Sequence, residues 1–355
     1  MVPVISGETH GMETGENVTA LNYSAHAIED MKVIVQRLPP HFVRSVAAIR
    51  VVSDMLRRSV KFILPNCAEL LDPLHVSQAH IDLLKLPFPL VAFEAPWQNT
   101  EAKDAGFLDH YKSTRRIALC WEPDATPPQL AHLNIVLQRF PQGGVFVLPI
   151  SWLDNPGIWN MGIGGAFVPY ENSLAEVDQE NISPLSARAM EALNSAGLLP
   201  KKPRQFAAEP FILQPEHFDA VVAKSDRETG FSNIMNDTRD EGMAVIQACA
   251  VLNCQNIATT DIEAPAKLNK ARIAKGKEPF FSYKVLALAA DRAMPSGAGT
   301  GSGAHASPRL HLRRGHLRRL PDKTVWVRAA MVGAASETGI VSKDYRLVTN
   351  RTKTS

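Results

Sequence analysis

Apolar side chains recur at helical spacing through the first 90 residues of the chain. This spacing predicts a helix that Ser24 caps and that ends before Pro39, followed by a second helix over 42–56. Ser77 is placed to cap a short third helix, which stops before Pro87. The N-terminal part is therefore predicted to be mainly helical, after a start over residues 1–16 that we expect to be disordered.

Short apolar runs bounded by Pro and Gly replace this pattern between residues 90 and 170. The segments LVAFEAPW, RRIALCWEP, GGVFVLPISW and GGAFVPY predict strands, with a helix over 128–140 between the second and the third. Four of the five tryptophans fall in this stretch, and we interpret them as sheet core in preference to a ring-lined pocket. A mixed sheet is therefore predicted in the middle of the chain.

The last third of the chain combines helical and strand-like segments. A helix is predicted over 184–196, and Thr238 with Glu241 has the spacing of a capping box for a helix that ends near Asn253. After a basic run come FFSYKVLALA, a Gly- and Ser-rich loop over 295–308 that we expect to be flexible, and three strand-like segments. With FFSYKVLALA these segments predict a small antiparallel C-terminal sheet.

The predicted fold class is α+β, with the helical part first, the mixed sheet in the middle and the small sheet last. We divide the chain into an acidic α/β region over 17–235 and a basic α+β module over 236–355. The chain of 355 residues is 45% hydrophobic, which excludes wholesale disorder. Its apolar runs are too short for a membrane span, and its start does not resemble an export signal, so we expect a cytoplasmic protein with no membrane partner.

The four cysteines do not form two CxxC pairs, so we expect buried thiols rather than a metal site, and we expect no cofactor. Charge is more informative. From Pro265 onward there are 18 Lys and Arg against 5 Asp and Glu, while residues 1–264 hold 20 against 31. This asymmetry indicates either a polyanionic partner for the tail or charge pairing between the two halves.

A repeat, HLRR-G-HLRR, lies inside this basic tail, and it contains His311 and His316. In an unbroken strand, two residues five positions apart lie on opposite faces. A β-bulge at Gly315 would add one residue and bring His311, Arg313, His316 and Arg318 to one cationic face. Our interpretation of the repeat depends on that bulge.

Four roles are open for such a face. Arginine binds phosphate oxygens, and aromatic rings such as Phe281 and Tyr283 are near enough in sequence to stack on bases. His311 and His316 can alternatively act as the base and the acid of metal-independent RNA cleavage. Metal binding is disfavoured because the adjacent arginines oppose a cation. A basic strand can also be a solvated sheet edge.

The residues predicted to contact nucleic acid are the basic and aromatic side chains of the tail. They are Lys267, Lys270, Arg272, Lys275, Lys277, Arg309, Arg313, Arg314, Arg318, Arg319, Trp326, Arg328, Lys343, Tyr345 and Arg346.

The tail also carries a more specific pattern. It is Ser307-Pro308-Arg309-x-His311-x-Arg313-Arg314-Gly315-His316-x-Arg318, followed by Val325-Trp326-Val327, Val332-Gly333 and Lys343-Asp344-Tyr345-Arg346. Over roughly residues 279–348 it resembles the C-terminal signature of uncharacterised proteins encoded by bacteriophages, prophages and plasmids. The resemblance implies a mobile-element protein in a bacterial host, and it implies no established activity.

Together these patterns predict a phage- or prophage-encoded protein that binds nucleic acid or a nucleoprotein complex through a basic C-terminal sheet. One alternative is an enzyme, a His-dependent ribonuclease or other phosphoryl-transfer enzyme. The other is an inhibitor that binds a host protein, directed at a defence system or a polymerase.

Overall fold

A computed structural model describes most of the chain up to residue 288. The described residues are 18–71, 76–98, 112–178, 180, 182–195, 203–254 and 257–286, with the backbone alone of 287–288, 311–313, 316–319, 324–327 and 330–332. The start expected to be disordered and the Gly- and Ser-rich loop over 295–308 lie outside these residues.

Helices occupy the positions at which apolar spacing predicts them in the N-terminal part. The α-helices are α1 (Tyr23–Arg37), α2 (Val43–Arg58), α3 (Gln78–Asp82), α4 (Pro184–Ser195), α5 (Pro215–Val222), α6 (Arg227–Leu252) and α7 (Ala266–Ala274). Turns of 3₁₀ helix cover Asn66–Ala68, Pro123–Ala125 and Pro128–Gln138, so the helix expected over 128–140 exists in the tighter form. Ser77 and His80 form the capping box of α3.

The strands are β1 (Val60–Ile63), β2 (Leu90–Pro96), β3 (Arg115–Trp121), β4 (Gly144–Leu153), β5 (Ile158–Met161), β6 (Gly164–Pro169), β7 (Ala175–Glu176), β8 (Arg204–Gln205), β9 (Glu209–Ile212), β10 (Ile257–Ile262) and β11 (Tyr283–Leu288), followed by β12 (His311–Arg313), β13 (His316–Arg319), β14 (Thr324–Val327) and β15 (Ala330–Val332). Nine of them form one mixed sheet in the order β10-β11-β1-β2-β3-β4-β6-β9, with β5 paired to β4. β1 is parallel to β2 and to β11, and the other pairs of this sheet are antiparallel.

Helices cover both faces of this sheet, so its central strands are apolar on both sides. On β2, Val91 and Phe93 pack in the cluster that includes α6, whereas Ala92 packs in the cluster that includes α1 and α2. Strands buried on both faces read as continuous apolar runs, which is the pattern of LVAFEAP. Trp121 and Trp159 are fully buried in the α1–α2 cluster, so the core interpretation is confirmed for these two rings.

The other face is covered by α6, whose 26 residues run beneath β3, β4 and β6. Its N-terminal cap is Asp226, whose carboxylate accepts the backbone N–H of Thr229 at 2.7 Å. The predicted capping box is therefore wrong, because Thr238 and Glu241 lie inside this helix. The Thr238 hydroxyl donates to the Ile234 carbonyl at 2.8 Å, a bond typical of helix interiors.

Two features of the predicted domain organisation change with this topology. Because α6 is continuous, the boundary proposed at 235/236 falls inside a helix and does not divide the chain. The strand predicted from FFSYKVLALA is β11, and it pairs with β1 and β10 in the large sheet instead of joining a C-terminal sheet. The described part combines helices with a large mixed sheet, as the α+β class requires.

Buried charges fix α1 and α2 to the sheet. Glu94 of β2 is fully buried at the N-terminus of α1, where its carboxylate accepts the backbone N–H groups of Tyr23 and Ser24, both at 2.9 Å. The Ser24 hydroxyl donates to it at 2.6 Å, and the Tyr283 hydroxyl of β11 lies 2.9 Å from both oxygens. Asn22 precedes α1 in a left-handed conformation, with φ of 60° and no capping bond from its side chain. Glu94 therefore caps α1 in place of the Ser24 cap that the sequence predicts.

Lys61 of β1 has the complementary position at the C-terminus of α2. Its ammonium is buried and donates to the carbonyls of Leu56 at 2.5 Å and Ser59 at 2.7 Å. Burial lowers the pKa of Lys61 to about 8, against the opposing effect of Glu94. Positive charge at a helix C-terminus is stabilising. The adjacent strands β1 and β2 thus each place one buried charged side chain at a helix end, Lys61 at α2 and Glu94 at α1.

Cys120, Cys249 and Cys254 are buried and Cys67 is half-buried, and all four are free thiols, which confirms the expectation for the three buried ones.

In the part of the chain that the structure describes, no helix combines the length and the apolar character needed to cross a membrane.

Replacing Glu94 tests its role as the cap. We expect Glu94→Leu to lower the free energy of unfolding by about 3 kcal/mol or more, because buried N–H and O–H donors lose their acceptor. Ser24→Ala removes one hydroxyl donor and is expected to cost about 1 kcal/mol. Urea denaturation of both variants provides the measurement, and equal losses in the two would contradict a central role for the carboxylate.

Candidate nucleic-acid interface

The helix α7 and the turn that follows it carry the basic side chains of the tail that are exposed within the described residues. α7 lies in the connection between β10 and β11, and none of its residues is buried. The Lys267, Lys270, Lys275 and Lys277 side chains are exposed here, and we call these four the α7 basic surface. Within the described residues, none of the four lysines has an ion-pair partner. Their charges are therefore free to meet an external anion.

Arg272, the remaining predicted contact on α7, has a different role. Its side chain is only 11% exposed and pairs with Glu29 of α1 at 2.8 Å. Its Nε donates to the Glu278 carbonyl at 2.7 Å, and its guanidinium lies 3.8 Å from the centre of the Phe280 ring. Arg272 is thus used to dock α7 on α1, and it is not available for phosphate as the sequence suggested.

Glu278 completes this docking. Its carboxylate is 7% exposed and accepts from Lys32 at 2.9 Å and from the Arg57 Nε at 2.7 Å. Burial opposes ionisation of this carboxyl, but the Arg57 and Lys32 bonds outweigh it and lower the pKa of Glu278. One buried carboxylate therefore joins α1, α2 and the turn after α7. The α7 basic surface is held on a fixed support.

The aromatic residues expected to stack on bases are less accessible than their positions in the sequence suggest. Tyr283 is 1% exposed and its hydroxyl bonds Glu94. Phe281 is half-buried under the Lys61 ammonium, which lies 3.9 Å from the ring centre. The large apolar side chains exposed on α7 are Leu268 and Ile273, at 48% and 60% exposure. This surface therefore offers charge rather than aromatic stacking.

The repeat HLRR-G-HLRR lies in strands for which only the backbone is described. β12 pairs antiparallel with β15, placing His311 opposite Val332, and β13 pairs antiparallel with β14, placing His316 opposite Val327. The bulge predicted at Gly315, on which the placement of both histidines on one face depends, lies outside the described residues.

Most of the other predicted contacts fall in or beyond these strands. Arg313, Arg318, Arg319 and Trp326 lie in the paired strands, and of these only the backbone is described. The remaining residues lie outside the described part: Arg309, Arg314, Arg328, Lys343, Tyr345 and Arg346.

The sequence does not reveal a buried charged cluster between α6 and β3. Arg116 of β3 contacts Asp240 at 3.0 Å and Glu241 at 3.4 Å, and its guanidinium lies 4.3 Å from the centre of the Trp97 ring. Glu241 is 2% exposed, and burial raises its pKa to about 7 in spite of Arg116. The partners are 125 positions apart, so no local pattern indicates the pair. Among the described residues, no group of three or more His, Cys, Asp or Glu is arranged to hold a metal ion.

Removing the Glu278 charge tests how α7 is held. In Glu278→Gln we expect faster amide exchange over 266–277 and a loss of about 2 kcal/mol in the free energy of unfolding, because Lys32 loses its counter-charge and Arg57 keeps only Asp54. Hydrogen exchange read by mass spectrometry gives the local effect. The exposed Glu263→Gln serves as control and should leave exchange over 266–277 unchanged.

The raised pKa of Glu241 predicts a pH dependence of stability. Because the pKa is about 7 in the folded chain and lower in the unfolded chain, the folded state binds the proton more tightly, and stability is lost as pH rises from about 4.5 to 7. Unfolding by urea at several pH values should show an additional loss in the parent chain, on the order of 2 kcal/mol, that Glu241→Gln lacks. Parallel curves for the two proteins would contradict the assignment.

Comparison of the chain with models of protein families, with curated proteins and with solved structures yields no match. The role of the α7 basic surface is therefore inferred from its own residues and their contacts.

Proposed function

We propose that this protein binds nucleic acid, or a nucleoprotein assembly, through the α7 basic surface and the basic segment that follows it. The observation that carries the proposal is that the four lysines of the α7 basic surface are exposed on α7 and the turn after it, with no ion-pair partner among the described residues. The same segment contributes Arg272, whose charge is neutralised by Glu29 within the fold. The fold thus separates a structural cation from four available ones.

Charge pairing between the two halves of the chain is the competing explanation for the asymmetry. Such pairing accounts for the ion pairs Arg272–Glu29 and Arg57–Glu278. It does not account for the four lysines of the α7 basic surface, which have no acidic partner among the described residues. An external polyanion with closely spaced charges is the partner that such a surface favours.

Lysine is a compact charge that binds phosphate without reading base identity, so this surface supports sequence-independent contact with the backbone. The arginines of β12 and β13 add guanidinium groups that bind phosphate through two parallel hydrogen bonds. We therefore assign α7 to affinity and the following basic segment to further contacts on the same polyanion. The bacteriophage or prophage origin and the bacterial cytoplasm belong to this proposal through the C-terminal resemblance.

A salt series tests the proposal on the full-length protein. Each phosphate contact by a lysine contributes about 0.9 to the slope of log affinity against log salt on duplex DNA. We expect Lys267→Gln, Lys270→Gln and Lys275→Gln together to reduce that slope by about 3 and to weaken binding at least tenfold at low salt. Fluorescence anisotropy with labelled duplex DNA and with labelled RNA provides both measurements.

The matched control removes three exposed lysines elsewhere, in Lys85→Gln, Lys112→Gln and Lys224→Gln. The control makes the same change in net charge, but away from the α7 basic surface. We therefore expect it to lower affinity only slightly and to leave the slope of log affinity against log salt unchanged. Equal effects of the two triple variants, or the absence of binding by the parent chain to both nucleic acids, would overturn the proposal. Capture of a host protein after nuclease treatment, with no binding to nucleic acid, would favour the inhibitor alternative.

A further inference from the structure

The strand β10 forms one end of the large sheet, and its outer edge is unpaired within the described residues. It pairs with β11 over its whole length, and no described strand lies on its other side. Every second residue of an edge strand directs its backbone N–H and C=O away from the neighbouring strand. β10 therefore offers a row of backbone donors and acceptors to a further strand.

The neighbouring helices leave this edge open. β11 and α6 are the elements that pack most closely against β10. The helix α7, which follows β10 in the chain, docks on α1 through the Arg272–Glu29 pair. The side chains of Ala258, Thr259 and Asp261 are exposed on β10.

Sheets in natural proteins usually protect an open edge with proline, lysine or a bulge. The strand at the opposite end of this sheet, β9, contains Pro210, which has no backbone N–H to donate. The sequence of β10 is IATTDI, without proline, glycine, lysine or arginine, and its ladder with β11 has no bulge. Its one charged side chain, Asp261, is paired with Lys284 of β11 at 2.7 Å. β10 thus lacks the features that prevent pairing with another strand.

The pleat of β10 limits how a second copy can pair with it. Directly opposite side chains of an antiparallel pair lie on one face, and the faces alternate along each strand, so a two-fold axis must pass through a residue. With the axis at Thr260, this residue lies opposite its own equivalent, and Thr259 lies opposite Asp261. Ala258 then lies opposite Ile262. Two threonines, a hydroxyl beside a carboxylate, and two apolar side chains are favourable cross-strand pairs.

Other symmetric registers are less favourable. An axis at Thr259 places Ile257 opposite the Asp261 carboxylate, so an apolar side chain covers a charge. An axis at Asp261 places two carboxylates directly opposite each other. The Thr260 register avoids both contacts, so β10 is complementary to a second copy of itself.

We propose that β10 is a dimer interface, at which it pairs antiparallel with β10 of a second copy about a two-fold axis at Thr260. The pairing joins the large sheets of the two copies into one. Because an axis normal to the sheet does not exchange its faces, the α7 basic surfaces of both copies lie on the same side. Formation of the dimer does not depend on nucleic-acid binding.

The length of β10 sets the strength of the dimer. Pairing over 258–262 gives a small interface, and small interfaces form transient complexes. We therefore expect a dimer that dissociates in the micromolar range.

Sedimentation velocity of the full-length protein, freed of nucleic acid, measures the equilibrium between monomer and dimer over about 1 to 200 µM. Thr260→Lys should raise the dissociation constant about fivefold or more, because it brings two ammonium groups together at the axis. Thr259→Lys is the matched control at the adjacent position. It should not weaken the dimer, because its ammonium meets Asp261 of the second copy. A protein that stays monomeric over this range, or a dimer that Thr260→Lys weakens no more than Thr259→Lys does, overturns the proposal.

Cross-linking gives a second measurement, which also serves if Thr260→Lys does not fold. Opposite Cα atoms of an antiparallel pair are roughly 4.5 to 5.5 Å apart, within the range of a disulfide. Thr260→Cys should therefore give a covalent dimer on mild oxidation, whereas Ala258→Cys, which faces Ile262 of the second copy, should not. The parent chain gives the background from its own cysteines. Equal cross-linking by the two variants, or none by either, contradicts a two-fold axis at Thr260.

Discussion

The structure depends on two buried charges on adjacent parallel strands, Glu94 on β2 and Lys61 on β1. Each takes the end of a helix whose backbone groups would otherwise be unsatisfied: the N–H groups of α1 and the carbonyls of α2. A buried ion is tolerated only when its surroundings replace the lost water, and here the helix ends do so. Because Tyr283 of β11 bonds the same carboxylate, Glu94 also joins the late part of the chain to the early part.

The support of α7 follows from this arrangement. β11 lies between β1 and β10, so the connection that contains α7 starts and ends in the large sheet. Glu278 and Arg272 then attach that connection to α1 and α2, the two helices that the buried charges position. In this segment some charged side chains form ion pairs within the fold, and others, at neighbouring positions, are exposed to solvent. This contrast is a stronger indication of function than the net charge of the tail.

The sequence predicts what short-range spacing determines. The apolar periods of α1 and α2, the Ser77 cap and the apolar strands β2, β3 and β4 all have local signals, and the structure contains these elements. The sequence does not predict the contacts between residues that are far apart in the chain. Glu94 replaces the expected Ser24 cap from 70 positions away, and Glu241 of α6 pairs with Arg116 of β3 instead of capping a helix. For the candidate site, composition indicates a basic segment over 265–277, but only contacts distinguish its exposed lysines from Arg272.

The position of β11 has a consequence for how the chain is made. Without β11, β1 would be an edge strand with a row of unpaired backbone groups, and its missing neighbour lies about 220 residues later in the sequence. While the chain is being synthesised, β1 therefore has no partner on this side until the residues of β11, which ends at Leu288, have left the ribosome. We expect the nascent chain to need protection of this edge, from a chaperone or from its own N-terminal helices, for most of its translation.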